Sequence, residues 1–291
     1  MILVVGATGI VGGQVCARLA ADDAEVRALV RTTSDPEKVG KLSDLGVEIV
    51  EGDLRDTASL DKACAGVDAV ICTVSSMPFA YQPGVNDIET TDLVGATNLV
   101  DAAQHAGVKH FVYISFSSHL DLAFPLGLAK REVEARIKGS GMAYTILRPS
   151  FFMEVWLGPA AGFDPGNGTV TLYGDGTNPV SYIATADVAV FAAASLTVPA
   201  ARNAILELGG PEALSQVEAK ETFERALGRT IATQSVPVEA LQAQLAEATD
   251  PMQQSFITLM LCVAKGDTID MTSTLEQFPM QMTTVQQFAA R

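Results

Sequence analysis

The sequence has few basic residues, few cysteines and few histidines for its length. Its 291 residues include 19 lysines and arginines against 34 aspartates and glutamates, which gives a formal net charge of −15. A surface of this sign repels nucleic acid and anionic membranes, and we expect neither as a partner. The four cysteines lie far apart, and the three histidines lack metal-site spacing. We therefore expect no disulfide framework and no metal, in a reduced, cytoplasmic protein.

Long apolar runs are also missing. No stretch approaches the roughly 20 residues that a membrane-spanning helix needs. We expect no N-terminal signal either, because an apolar strand begins at Ile2. Hydrophobic residues nevertheless make up 48% of the chain, enough for a sizeable core. That amount fits one large domain or one domain with a smaller lobe.

The chain opens on an apolar run followed by a glycine-rich turn. Residues 1–5 read MILVV, the turn reads GATGIVGG, and a helix-like stretch continues to Ala21. A strand, a glycine turn and a helix start form the nucleotide-binding unit of a doubly wound α/β fold. Gly6 permits the tight turn, Gly9 lets the backbone approach a pyrophosphate, and Gly12 lets the helix pack closely. The predicted cofactor contacts in this turn are Gly6, Thr8, Gly9, Ile10, Val11 and Gly12.

The end of the second strand indicates which dinucleotide binds. An acidic residue there would favour NAD through the adenosine ribose. This chain instead has Arg31, whose planar fork of donors suits the 2′-phosphate of NADP, and Thr32 can add a hydrogen bond. The pattern therefore predicts NADP(H), and the alternative is a solvated surface arginine.

Further cofactor contacts are predicted after the third and fourth strands, because ligands of open α/β sheets bind at the strands' carboxyl ends. We expect Asp53 to accept from the adenine amino group and Leu54 to lie against the ring. The alternative is that Asp53 only orders its turn. Thr73 and Val74 end the fourth strand beside the expected path of the cofactor.

Strands and helices alternate as far as Pro149, which predicts a parallel sheet with helices on both faces. The predicted fold class is α/β, a Rossmann-type doubly wound sheet with a small C-terminal substrate lobe. We assign residues 1–150 to the NADP-binding domain. We assign residues 151–291 mainly to the substrate lobe, with part of it returning to the sheet near residues 180–210.

Several segments together resemble the atypical short-chain dehydrogenases, specifically the NmrA-like group that includes isoflavone-reductase-like enzymes. They extend from Met1 to about Leu214 and read GATGIVG, LVRTTSDPEK, GVEIVEGDLRDTASLDKACAGVDAVI, AAQHAGVKHFVYIS, KREVEARIKGSGMAYTILRPSFFME and LELGGPEALS. The resemblance implies a Rossmann domain, NADP as cofactor and a small substrate lobe. It also implies that Gly6, Gly9, Gly12, Arg31, Asp53 and Leu54 contact the cofactor.

The resemblance further implies where the chemistry lies. Members of the larger superfamily use a serine and a tyrosine placed four residues before a lysine. Lys130 matches that lysine and is expected to bond the nicotinamide ribose, whereas Leu126 occupies the tyrosine position. The strand that precedes ends at Ser115, a predicted cofactor contact, and Ser117 is a substitute for the second serine of the family's pair.

The predicted function is reduction of a carbonyl, quinone or enone of a bulky, largely apolar small molecule by NAD(P)H. The predicted catalytic residues are Lys130, Ser117 and His119, with Tyr81 a further possible proton donor. For Ser117, His119 and Tyr81 an ordinary loop position is an equal alternative. The apolar group Phe151, Phe152, Met153 and Trp156 suggests the substrate's character.

The alternative function is a non-catalytic NADP-binding redox sensor or assembly factor of the NmrA type. The loss of the tyrosine at Leu126 motivates it. A homodimer is a further expectation that rests on the resemblance alone.

Overall fold

The computed structural model describes residues 1–120 and 123–291, except for the side chain of residue 120. It divides the chain into two compact units. The first unit consists of Met1–Ser115, Leu128–Leu147 and Val188–Leu206. The second unit consists of Phe116–Gly127, Arg148–Asp187 and Glu207–Arg291.

A seven-stranded sheet has the order β3-β2-β1-β4-β5-β6-β9. The strands β1 to β6 all pair in parallel, and Ile2 of β1 lies beside Val26 on one side and Ala69 on the other. The first six strands follow the Rossmann order, which confirms the predicted fold class. The strands are β1 Ile2–Val5, β2 Val26–Val30, β3 Glu48–Glu51, β4 Ala69–Cys72, β5 His110–Ile114, β6 Ala143–Pro149 and β9 Ala204–Leu208.

The helices of this half connect successive strands. Their ends follow local chemistry: α2 begins after Asp35, whose carboxylate accepts from the amide of Glu37, and Pro36 occupies its first position. A wider π-helical segment, Ile88–Gly95, runs directly into α4. The helices are α1 Ile10–Ala21, α2 Pro36–Asp44, α3 Thr57–Cys64, α4 Ala96–His105 and α5 Pro125–Gly139.

The central strands of the first unit, β1, β4 and β5, are buried and mainly apolar on both faces. Leu3, Val70 and Phe111 are fully buried together with Leu60 and Leu99 of the flanking helices. Near-continuous apolar strands are what a parallel sheet covered on both faces requires. The carboxyl ends of these strands, where the predicted cofactor contacts lie, therefore stand on a rigid base.

The second unit has its own sheet and core. Its three strands have the order β10-β8-β7, with β10 parallel to β8 and β7 antiparallel to β8. The sequence did not predict β10, because its residues ATQSV are polar and mostly exposed. The strands are β7 Phe163–Asp164, β8 Thr169–Tyr173 and β10 Ala232–Val236. The remaining helices are α6 Met153–Trp156, α7 Thr185–Ala194, α8 Gln216–Leu227, α9 Val238–Glu247, α10 Pro251–Lys265, α11 Thr272–Gln277 and α12 Val285–Ala289. The residues of α7 fall partly in the second unit and partly in the first.

The two compact units are not continuous in sequence, and the assignment of residues 1–150 to the NADP-binding domain and residues 151–291 mainly to the substrate lobe, with part returning to the sheet near residues 180–210, stays a prediction. Residues 116–127, which follow β5, belong to the second unit. Residues 188–206 belong to the first unit, because β9 joins the large sheet beside β6. Within residues 1–120 and 123–291, no helix is long and apolar enough to cross a membrane.

Candidate functional site

The glycine turn between β1 and α1 leaves no room for side chains. Gly6 has a φ of +88°, and a Cβ there would lie 2.6 Å from Oγ1 of Thr73. A Cβ on Gly12 would collide with the carbonyl oxygen of Gly6. Thr73 itself is held by a 3.1 Å hydrogen bond from its Oγ1 to the carbonyl oxygen of Val5. The turn therefore requires glycine at both positions, and Thr73 is part of its packing.

The first turn of α1 is open to a ligand. Gly9 is the N-cap residue and has no side chain to bond the first amides, and no acidic residue lies in the first turn. Thr8 and Val11 are partly exposed, and Ile10 is 46% exposed although it is apolar. Free amides and the positive end of the helix dipole at this point suit an anion.

Arg31 and Asp53 lie at the neighbouring carboxyl ends of β2 and β3. Arg31 is exposed, as is Thr32, and the amide of Arg31 donates to Oγ of Ser34 at 3.0 Å. The carboxylate of Asp53 binds Arg55 through both oxygens, at 2.9 and 2.8 Å. The hydrogen bond from Arg55 is the main cause that lowers the pKa of Asp53, and the charge of Arg31 also lowers it. Three charged groups thus share this edge of the sheet.

In the structure, Arg55 competes with the adenine amino group for the carboxylate of Asp53. Its two carboxylate oxygens already accept from Arg55, a residue that the sequence analysis did not select. Leu54 is partly buried beside Gly95, where an added Cβ would lie 2.7 Å from Cβ of Leu54. The adenine contacts of Asp53 and Leu54 stay predictions.

Lys130 is buried and paired, although a lysine on a helix is usually solvated. Its side chain is 5% exposed, and its Nζ donates to the carbonyl oxygen of Val74 at 2.8 Å. The same Nζ lies 3.3 Å from Oδ1 of Asp92 and 5.1 Å from the centre of the Tyr113 ring. Val74, a predicted cofactor contact, thus holds the lysine through its backbone. Sequence reasoning missed Asp92, which lies on the π-helical segment.

Asp92 is fully buried and bonded on its other side. Its Oδ2 accepts from the amide of Ser76 at 3.0 Å and from Oγ of Ser76 at 2.6 Å. A buried carboxylate is tolerated only when it is paired and hydrogen-bonded. The ammonium of Lys130 is thereby fixed at the carboxyl end of β4.

Ser115 faces α5. Its hydroxyl donates to Oε1 of the buried Glu134 at 2.6 Å and accepts from Nη1 of Arg131 at 3.0 Å. Arg131 and Glu134 also pair with each other at 2.7 Å. The hydroxyl that the sequence assigned to the cofactor therefore has partners within the protein.

Ser117 and His119 meet at one carboxylate that sequence reasoning missed. Oδ1 of Asp267 accepts from Oγ of Ser117 at 3.1 Å and lies 3.0 Å from Nδ1 of His119. Oδ2 accepts from Oγ of Ser150 at 2.6 Å. The side chain of Asp267 is fully buried, whereas that of His119 is 49% exposed. Two of the three predicted catalytic residues thus belong to one cluster.

A model of the NmrA-like family matches residues 1–289.

The chain belongs to the NmrA-like family.

Three relatives with assigned activities or roles share about a third of the residues. A (4-alkanoyl-5-oxo-2,5-dihydrofuran-3-yl)methyl phosphate reductase of Streptomyces griseus is 34% identical, covering 88% of this chain and 85% of the relative. An NAD(P)H azoreductase of Xenophilus azovorans is 32% identical, covering 89% and 85%. A photosystem II assembly factor, Ycf39 of Trieres chinensis, is 30% identical, covering 83% and 73%.

The fold is also found in a solved oxidoreductase structure. The structure is similar to NADPH-dependent quinone oxidoreductase QOR2 from Escherichia coli complexed with NADPH, with a TM-score of 0.78. The identity is 24%, and the match covers 100% of this chain and 99% of that chain. At this identity the likeness supports the fold alone.

The apolar group after β6 of this NmrA-like chain packs as core. Phe151, Met153 and Trp156 are buried, and the rings of Phe151 and Trp156 meet edge to face at 4.9 Å. Phe256 of α10 stacks on Trp156 at 5.5 Å. Met252 and Phe256 of α10 also line a surface pocket of about 470 Å³, together with Gln244 of α9. Apolar residues that suggested a substrate pocket therefore serve mainly to build the second unit.

Tyr81 and the cysteines add no further cluster. Tyr81 is partly exposed in the loop after β4. All four cysteines are free and buried, and burial raises the pKa of Cys16 and of Cys262 to about 12. In the part of the chain that the structure describes, no three His, Cys, Asp or Glu side chains are grouped to hold a metal ion.

Proposed function

We propose that this chain is an NADPH-dependent reductase that acts on a carbonyl, quinone or enone of a bulky, largely apolar small molecule. The observation that carries the proposal is the glycine turn, packed so closely against Thr73 that neither Gly6 nor Gly12 can bear a side chain. Such a turn at the open start of α1 fits the pyrophosphate of a dinucleotide. Two relatives above 30% identity are named reductases, one of them with NAD(P)H.

The proposed preference for NADPH rests on Arg31. Its exposed guanidinium stands at the end of β2, where the 2′-phosphate of NADP is expected, and Asp53 nearby is already neutralised by Arg55. A free carboxylate beside the phosphate would oppose its binding. The bidentate bond of Arg55 removes that repulsion.

The proposed roles of the site residues follow from their positions. Bound NADPH would supply the hydride. Lys130, held by Asp92 and Val74, would present a fixed positive charge to the nicotinamide ribose. With Leu126 in place of the usual tyrosine, the proton would come through a water held by Lys130, or from Ser117, His119 or Tyr81.

A substrate panel tests the proposal. Purified protein is mixed with NADPH and with quinones, enones and aromatic ketones, and cofactor oxidation and product are both measured. We expect turnover, and Lys130→Ala should reduce kcat by about ten- to a hundredfold, the value of one charged hydrogen bond. Lys109→Ala, which removes an exposed lysine paired with Asp68, is the matched control. Equal rates for Lys130→Ala and wild type would contradict the assigned role of Lys130.

A second candidate is a non-catalytic NADP-binding sensor or assembly factor. The observation that favours it is the similarity to Ycf39, together with Leu126 at the tyrosine position. It requires a stoichiometric protein partner in pull-down experiments and no turnover across the panel. Cytoplasmic location and a homodimer stay predictions.

A further inference from the structure

Asp267 joins three parts of the second unit that are far apart in the sequence. Ser117 and His119 come from the loop after β5, Ser150 follows β6, and Asp267 follows α10. His119 and Asp267 are 148 residues apart. A carboxylate with no exposed surface is stable only with full hydrogen bonding, and here these three side chains supply it.

The backbone around Asp267 is fixed on both sides. Gly266 has a φ of +92°, and a Cβ there would lie 2.8 Å from the carbonyl oxygen of Pro179. The amide of Asp267 donates to that same oxygen at 3.0 Å, and its carbonyl accepts from the amide of Ser181 at 2.8 Å. The backbone that carries the carboxylate is therefore held in place next to His119.

The loop that carries His119 is also held in place. The amide of Ser117 donates to the carbonyl oxygen of Pro149 at 2.9 Å, and the amide of Ser118 donates to Glu207 at 3.0 Å. This loop leaves the carboxyl end of β5, the edge at which open α/β sheets bind their ligands. The half-exposed imidazole of His119 therefore belongs to a loop that these hydrogen bonds hold in place.

We propose that His119 is the proton donor of the reaction and that Asp267 is its positioning residue, an inference that rests on the proposed function. Because Oδ1 of Asp267 accepts from Nδ1, the proton available for transfer is the one on Nε2. Ser117 is a poorer donor, since its hydroxyl proton is directed at the same carboxylate.

The proposed reduction transfers one hydride and one proton to the substrate. The substrate carbon receives the hydride, the electron pair of its double bond moves to oxygen, and that oxygen takes the proton from Nε2 of the His119 imidazolium. The neutral imidazole that results keeps its proton on Nδ1, and this N–H group donates to Asp267. Solvent returns the lost proton, because the side chain is 49% exposed.

A purely structural bond between Asp267 and the loop is the competing explanation. It also predicts the Nδ1 contact, but it predicts no effect of His119 on turnover. Variants of His119 and Asp267 distinguish the two explanations. His119→Gln is the decisive one, because it alters a half-exposed side chain and leaves the buried Asp267 with its two serine donors.

The first measurement is independent of turnover. The chain has three histidines, so nitrogen-15 spectra of the imidazoles can be assigned by comparison with His119→Gln. We expect the neutral form of His119 to carry its proton on Nδ1 in wild type and to lose that preference in Asp267→Asn. An Nε2-protonated imidazole in wild type would overturn the positioning role, even if Asp267→Asn failed to fold.

The second measurement is steady-state kinetics with a substrate that wild type reduces. His119→Gln and Asp267→Asn should each lower kcat by about 10²–10⁴-fold, the usual range for general acid catalysis, with the Kd of NADPH unchanged. Asp270→Asn is the matched control, since Asp270 is an exposed aspartate of the same segment that bonds only its neighbour Thr272 among the described contacts.

The outcomes are distinguishable. Wild-type turnover with undiminished kcat in His119→Gln would overturn the proton-donor role and leave the reductase intact. No turnover of any substrate by wild type would instead contradict the proposed reductase. In that case the nitrogen-15 spectra still decide whether Asp267 orients His119.

Discussion

Asp92 in the first unit and Asp267 in the second unit are both fully buried carboxylates, and they hold different partners. Asp92 faces the ammonium of Lys130, which is itself only 5% exposed. Asp267 faces the imidazole of His119, which is 49% exposed. A serine hydroxyl donates to each of the two carboxylates.

The difference lies in what each carboxylate makes available. A buried ion pair fixes a charge, because neither partner can leave the other without a large penalty. A buried carboxylate beside a half-exposed imidazole fixes an orientation and leaves a proton within reach of solvent and ligand. The first arrangement suits a constant electrostatic field, and the second suits proton transfer.

The largest expected effect comes from breaking the buried pair. Asp92→Ala leaves the ammonium of Lys130 without its counter-charge and should lower the free energy of unfolding by about 3–5 kcal/mol. Urea denaturation measures it. The double variant Asp92→Leu, Lys130→Met removes both charges and should recover most of the loss. A loss in the double variant as large as in the single one would show that Asp92 does not act through Lys130.

The next largest effect concerns Arg31, which is an exposed cation, whereas Lys130 is a buried one. Arg31→Ala should raise the Kd of NADPH by about ten- to a hundredfold and leave that of NADH nearly unchanged, because only NADPH carries the 2′-phosphate. Calorimetry with both cofactors measures it. Arg18→Ala is the control, since Arg18 is an exposed arginine of the first unit that pairs with Asp22. Equal weakening of both cofactors would remove Arg31 from the phosphate site.

Asp267→Asn should destabilise less than Asp92→Ala. An asparagine keeps one acceptor for the serine hydroxyls, and the His119 side chain is exposed enough to be solvated. The expected loss in unfolding free energy is therefore about 1–3 kcal/mol, the range for imperfect buried hydrogen bonds. Thermal and urea unfolding measure it beside Asp270→Asn. A loss equal to that of Asp92→Ala would mean that the two carboxylates are equivalent structural supports.

Local patterns in the sequence selected the glycine turn and Arg31 after β2, and the family resemblance selected Lys130 on α5. Their roles at the cofactor stay predictions. The parallel sheet followed from the alternation of apolar strands and helices up to Pro149, because parallel sheets are built from such units.

The two carboxylates could not be predicted, because their partners are distant in sequence. Asp267 meets His119 across 148 residues, and nothing near either residue indicates the other. Phe151 and Trp156 illustrate a second limit. Core residues and pocket residues are equally apolar. Composition alone therefore assigned these two residues to a substrate pocket, although they pack in the interior of the second unit. Strand β10 was missed because its exposed polar residues have no alternating pattern.

The smallest expected effect concerns Asp53, a third carboxylate, which is more exposed than Asp92 and Asp267. Its pKa lies below the ordinary value, chiefly because Arg55 donates to it, so the unfolded chain binds this proton more tightly than the folded one. The resulting stability is present above the ordinary pKa and is lost as pH falls through the lowered one. Arg55→Ala should therefore reduce stability slightly at neutral pH and flatten its decline in acid. Lys41→Ala, which removes the exposed pair with Glu37, is the control. An unchanged acid limb in Arg55→Ala would show that this partly exposed bond is already screened by solvent.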